Sequence, residues 1–314
     1  MYDSNSKGIS YTAGFFILIA FGFTGILFAS VLSIPVWFAM TGTGIAQMAT
    51  EMNNPKNADA IRIIQVISVI LGLFIPALAT ALLLNRKPIR LLGFNKKINL
   101  KQAGIVLLIM VTALFVSGAL GYLNQRIPIP DTWRIYFDKL ESSYNKQVEI
   151  MTGLKNFKDY LLAIVIMAFL PALCEETMFR GGLQNFLNRS IKNFWVSILI
   201  VSVLFSLVHF SYYGFLPRMF LAIILGLIFY YTGNLWLCIL AHFFNNALAI
   251  TQLYIYIRQG KDIKQLMTDE MPYYWGIAAL PLLVLLLYQL KKISPQKVEN
   301  DTSRLEGSDT ANPF

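Results

Sequence analysis

LLAIVIMAFLPALCEETMFR, residues 161–180, decides how this chain is read. Leu161 to Leu173 carries no charge, and the run then meets Glu175, Glu176 and Arg180. A charged side chain at the centre of a membrane helix costs roughly 2.5–3.5 kcal/mol on insertion scales, so three unpaired ones would cost on the order of 8–10 kcal/mol. Packing alone does not justify that cost, and ionisable groups inside an apolar span read first as a functional site.

The rest of the chain agrees with a membrane setting. Of 314 residues, 56% are hydrophobic and only 14% charged, against about 25% charged in soluble domains. Mean hydropathy is +0.57. Eight apolar segments are candidates to cross a bilayer: 12–39, 61–84, 102–123, 159–181, 194–213, 216–232, 234–256 and 273–290. Each has about the 20 residues a spanning helix needs. Backbone groups in lipid must be satisfied within the segment, and no alternating ten-residue pattern suggests a barrel. The expected fold is therefore an all-α polytopic membrane bundle of about eight helices. Residues 1–150 hold about three of them and an outer loop, 155–256 form the core that bears the chemistry, 257–293 supply the last helix, and 294–314 read as a polar, disordered tail. The first block, from Tyr11 to Met40, is too long for a cleavable signal peptide.

Basic residues orient the bundle. Arg86, Lys87, Arg90, Lys96, Lys97 and Lys101 follow the second segment, and Lys291, Lys292 and Lys297 follow the eighth. The positive-inside rule makes these regions cytoplasmic. Both termini are then expected on the cytoplasmic side, with the bacterial cytoplasmic membrane as the expected location. Arg189 and Lys192 also fall inside. The stretch from Asn124 to Lys158 falls outside although it carries six basic residues; it is long, also holds acids, and long external segments obey the rule less strictly. An interfacial amphipathic helix is expected there, near Thr132 to Met151. The excess of Lys and Arg over Asp and Glu, 26 to 17, does not indicate nucleic acid, because it sits between apolar blocks and forms no basic helix face.

The chain has only two histidines, His209 and His242, and both lie in candidate spans. Polar side chains within a membrane face the bundle interior or a wet cavity, and meeting in one cavity would let them satisfy each other. His242 and Asn246 stand four apart and share a helix face, as do Glu176 and Arg180. At 3.6 residues per turn Glu175 points about 100° away from Glu176. One carboxylate can be tied to Arg180 while the other faces a cavity and holds water. Plainer readings compete: Glu176–Arg180 as a helix-stabilising pair near the interface, and Asn246 as an interhelical hydrogen bond. Cys174 and Cys238 show no metal-ligand spacing and read as small buried hydrophobes. One depth conflict stands out. His209 lies roughly 22 Å along a helix that starts at Phe194, whereas Glu175 and His242 come out nearer the cytoplasmic face.

Three motifs stand in order on separate segments: Glu175-Glu176-Thr177-Met178-Phe179-Arg180, Phe205 to His209, and His242 to Asn246. This set resembles the CPBP family, the CAAX-protease and bacteriocin-processing intramembrane endopeptidases also called Abi proteins. The resemblance covers about 160–256. It implies a polytopic peptidase with a cavity inside the membrane, acting on a peptide or protein substrate that in eukaryotic members is a prenylated CAAX protein. It further implies Glu175 as the general base that activates water, His209 as a second holder of that water, His242 and Asn246 as the oxyanion-stabilising groups, and Glu176 with Arg180 as the supporting pair. The expected partners are therefore the substrate, lipid-modified or not, and membrane lipids. Two forms of the chemistry stay open. Glu175, His209 and His242 could hold zinc, as a His₂Glu set does in soluble peptidases, and the family has been labelled metalloprotease. No His-Glu-x-x-His motif is present, and a metal-free glutamate peptidase fits as well. The alternatives to an enzyme are a proton-coupled transporter, for which internal repeats are lacking, and a non-catalytic immunity or scaffold membrane protein.

Overall fold

The computed structural model describes residues 5–94, 97–154, 156–261 and 271–294; the expected tail lies outside them except for Ser294. The helices in chain order are α1 Tyr11–Thr41, α2 Ile45–Glu51, α3 Pro55–Leu84, α4 Pro88–Leu91, α5 Leu100–Gln125, α6 Asp131–Thr152, α7 Phe157–Ile191, α8 Phe194–Leu207, α9 Phe215–Thr232, α10 Leu235–Arg258 and α11 Tyr273–Ile293. Among the described residues there is no strand, only an isolated bridge between Ser6 and Asn85. The all-α membrane bundle read from the sequence is what the chain forms.

The starts and stops follow side-chain chemistry. The side chains of Ser10, Asn99, Asn193 and Asn234 accept hydrogen bonds from backbone N–H groups of the first turns of α1, α5, α8 and α10. These caps satisfy donors that have no partner within the helix. Outward faces are apolar: Phe23 and Leu27 of α1 are 66% and 68% exposed. Such surface is stable only against another apolar phase.

Among the described residues seven helices, and not eight, are long and apolar enough to span: α1, α3, α5, α7, α9, α10 and α11. The expected fifth span, 194–213, is the 14-residue α8. It stops at Leu207 because the chain turns through 208–214, where Phe210 takes a positive φ of 49°. The expected fourth span, 159–181, is the 35-residue α7, which runs on to Ile191. That extension removes the depth conflict. Glu175 lies roughly 24 Å before the end of α7, and His209 roughly 22 Å beyond the start of α8 on the other side of the same short connection. The two residues share a level.

α7 is not uniformly α-helical. Ile164–Phe169 and Thr177–Gln184 are wide π-helical stretches flanking the turn that bears Glu175 and Glu176, a local form often found at functional sites. Two buried clusters meet along this helix. Leu18, Ala77, Phe179, Phe186 and Val201 join α1, α3, α7 and α8, while Ala163, Ala168, Ile250 and Leu253 join α7 to α10. A third, with Ile109, Met110, Ile228, Cys238 and Leu286, joins α5, α9, α10 and α11. α5 and α11 approach closely at Gly276, where a Cβ would collide with Ala119 and the Phe115 carbonyl, the small-residue contact that lets membrane helices meet.

Candidate active site

Glu176 and Arg180 are buried to 0% and 1% exposure, and Arg180 Nη1 donates to Glu176 Oε1 at 2.8 Å. Arg180 Nη2 donates to the Ala222 carbonyl at 3.2 Å, and its guanidinium lies 4.7 Å from the Phe205 ring centroid. The pair predicted from i,i+4 spacing is thus present, and deep in protein. The same Glu176 Oε1 takes a second hydrogen bond, from His242 Nδ1 at 2.7 Å. A carboxylate can only accept, so the Nδ1 of His242 carries the proton.

Glu175 faces elsewhere, as the helical period requires. It lines a cavity of about 530 Å³ that is also lined by His209, His242, Asn246 and Arg218. His242 Nε2 and His209 Nε2 lie 3.9 and 4.0 Å from Glu175 Oε2. That oxygen is buried and has no hydrogen-bond partner among the described residues. His209 Nδ1 lies 2.7 Å from the Phe205 carbonyl, to which it donates. Both imidazoles, when neutral, therefore turn a lone pair at Nε2 toward an acceptor carboxylate. Gaps of this width between polar atoms suit one intervening hydrogen-bonding atom.

His209 is not on a helix, so its place depends on what fixes the 208–214 turn. α5 holds one side: Asn124 Nδ2 donates to the Tyr212 carbonyl at 2.8 Å, and Leu216 N donates to Asn124 Oδ1 at 3.1 Å. α6 holds the other: Ser211 Oγ donates to Glu141 at 2.9 Å, Tyr213 donates to Asp138 at 2.5 Å, and Phe137 stacks on Tyr212. α6, found where an amphipathic helix is expected, is tied down in turn by Arg62, which donates to the carbonyls of Met151 and Thr152 and pairs with Asp59. Phe205 packs against His209, His242 and Phe179, so the aromatic start of the second motif is a platform for both imidazoles.

Zinc was one expectation for Glu175, His209 and His242. Ligands at 2.0–2.1 Å from a tetrahedral zinc lie roughly 3.4 Å from one another. The two imidazole nitrogens stand 3.9 and 4.0 Å from the carboxylate oxygen, and among the described residues no group of three or more His, Cys, Asp or Glu could hold a metal ion. As placed, the set does not fit the metal.

All six expected residues come together: Glu175, His209, His242 and Asn246 line the cavity, and Glu176 and Arg180 stand behind His242. Reading the sequence missed the Glu176–His242 bond, because its partners are 66 residues apart. It also missed Arg218, although a basic residue inside an apolar span is a signal of the same kind as Glu175.

Residues 157–248 match the family described as type II CAAX prenyl endopeptidase Rce1-like. A stretch of 112 residues is 30% identical to the uncharacterized protein YpbD of Bacillus subtilis (strain 168), covering 34% of this chain and 54% of that protein. The chain spans about half the length of that curated relative. No solved structure matches significantly. The segment that carries Glu175, His209, His242 and Asn246 is thus similar to the Rce1-like type II CAAX prenyl endopeptidases, the resemblance its three motifs carry.

Proposed function

We propose that this protein is an intramembrane endopeptidase that hydrolyses a peptide bond with water activated by Glu175, without a metal. The observation that carries the reading is the approach of His209 Nε2 and His242 Nε2 to a single buried oxygen of Glu175. A water at that point gives one proton to Glu175 and directs the other to His209 Nε2. Its oxygen attacks the scissile carbonyl carbon. Asn246 offers N–H to the resulting oxyanion, and His242, when both its nitrogens are protonated, offers Nε2–H. Glu175 then passes its proton to the nitrogen of the breaking C–N bond, so that an amine and a carboxylic acid leave.

The ion pair behind His242 gives this chemistry its rigidity. Glu176 and Arg180 neutralise each other at full burial and fix the imidazole, so little reorganisation is required during reaction. The substrate is a peptide segment with apolar side chains, because Met110, Leu221 and Ile250 line the cavity beside the polar groups; lipid-modified proteins belong to the class to be tried. We read the basic residues Arg86, Lys87 and Arg90, with Lys291 and Lys292 at the other end, as marking the cytoplasmic side, where both termini then lie.

Purified full-length protein incubated with a fluorogenic peptide library tests the reading. Cleavage by the native chain and its loss, by about 10² or more, in a folded Glu175→Gln variant are expected. Equal cleavage by both would remove Glu175 as the base.

A further inference from the structure

Arg218 is the cation that the proposed reaction leaves unused. It stands in the first turn of α9 and lines the same cavity as Glu175, His209 and His242. Its Nη1 is buried and has no hydrogen-bond partner among the described residues, and it makes no ion pair with any described carboxylate. The nearby acid Glu141 is engaged by Ser211. Arg180, the other arginine at this level, is fully committed to Glu176 and the Ala222 carbonyl.

The position next to it is shaped for the guanidinium. Gly214 has φ −90° and ψ 1°, which any residue can adopt, so its lack of a side chain is a matter of space. A Cβ there would stand 2.9 Å from both Nη1 and Nη2 of Arg218 and 2.8 Å from Ser211 Oγ. The glycine therefore lets the charged fork lie flat against the turn that also carries His209.

A buried guanidinium nitrogen such as Nη1 without a partner is costly, and a carboxylate is the group whose geometry the fork matches. The fork lies on the wall of the chamber where the scissile bond must lie, and not on the outer surface, so the carboxylate is one brought in by the peptide. We infer that Arg218 is a specificity-determining residue that binds a carboxylate of the substrate, either the chain's C-terminal carboxylate or an acidic side chain close to the scissile bond. The inference rests on the peptidase reading for its substrate, and on Arg218 and Gly214 for its site.

Binding can be read without turnover. The probe is a fluorescein-labelled hexapeptide of alternating alanine and leucine in three forms: free acid, C-terminal amide, and amide with one internal glutamate. The host is the full-length Glu175→Gln protein in detergent micelles. At least one carboxylate-bearing form should bind roughly 10- to 100-fold more tightly than the plain amide, the range of a hydrogen bond to a charged group. Tight binding of the free acid alone identifies the C-terminal carboxylate; equal binding of the glutamate form identifies any suitably placed carboxylate. Adding Arg218→Gln should abolish the preference, Arg218→Lys should keep part of it, and Gly214→Ala, which displaces the fork without removing its charge, should fall between. Equal binding of all three forms, or a preference that survives Arg218→Gln, overturns the inference. So does an Arg218-dependent response to phosphatidylglycerol vesicles with no preference among peptides. Because the host does not cleave, selective binding by a protein that never hydrolyses peptides would uphold Arg218 and reject the peptidase reading. Cleavage without carboxylate preference would do the reverse.

Discussion

His242 and Glu176 are joined across two helices by a 2.7 Å hydrogen bond from Nδ1 to Oε1, and the same oxygen receives Arg180 at 2.8 Å. One buried carboxylate oxygen thus fixes both a cavity imidazole and a buried cation. The Glu-Glu doublet divides its labour in this way: Glu176 builds and Glu175 faces the chamber.

Removing Glu176 should therefore damage both stability and turnover. Glu176→Ala leaves Arg180 buried and unpaired, a loss on the order of 3–5 kcal/mol, visible as a lower thermal midpoint. Glu176→Gln keeps the shape but not the charge that fixes His242, and kcat should fall on the order of 10²-fold in protein that still folds. A Glu176→Gln variant with native kcat would contradict the coupling.

Asn246 stands one helical turn beyond His242 on the cavity wall. If its amide meets the oxyanion, Asn246→Ala should lower kcat about 10²- to 10³-fold while KM changes little. A change confined to KM would make Asn246 a substrate-binding group instead.

Chelators should have no effect. The spacing of Glu175, His209 and His242 does not match a zinc shell, so dialysis against EDTA or phenanthroline should leave cleavage unchanged and elemental analysis should find no stoichiometric zinc. Activity lost to chelator and restored by zinc would overturn the metal-free chemistry.

The turn that carries His209 has its own pH signature. The hydrogen bond from Tyr213 to Asp138, with burial and the carboxylate's charge added, pushes the tyrosine pKa up to about 12 from 10.0. The proton is held more tightly in the folded state than in the unfolded one. The clasp between α6 and the turn is then at full strength below about pH 10 and is lost as pH rises through about 12. A ¹³C-tyrosine NMR titration, assigned with Tyr213→Phe, should show one resonance titrating late, and Asp138→Asn should return it toward 10. An ordinary titration of Tyr213 in the native chain would contradict the clasp.

Much of this architecture can be read from residue order because membrane burial leaves so few polar side chains to account for. The 100° between Glu175 and Glu176 assigns one to the cavity and one to Arg180 without coordinates, and the caps at Asn193 and Asn234 mark helix starts. The depth of Glu175 is not readable, because Gly181, Gly182, Gln184, Asn185 and Asn188 make the apolar run look finished near 181 although the helix continues to Ile191, and the π-helical stretches leave no trace in composition. The shortness of α8 is equally hidden: Phe194 to Phe215 stays apolar enough to span, and the turn at 208–214 is fixed by Asn124, Asp138 and Glu141, which are distant in the chain. The Glu176–His242 bond is a tertiary fact of the same kind. Arg218 differs, since a lone arginine in an apolar span carries its own signal.

The proposal that Glu175 and His209 act on one water is tested most directly by a double-mutant cycle on kcat/KM for peptide cleavage. Residues that act on one water act as a unit, so their losses do not multiply. Glu175→Gln and His209→Ala should each cost about 10² or more, and the double variant should be hardly worse than the poorer single one. Losses that multiply, with each residue acting independently of the other, would contradict the account.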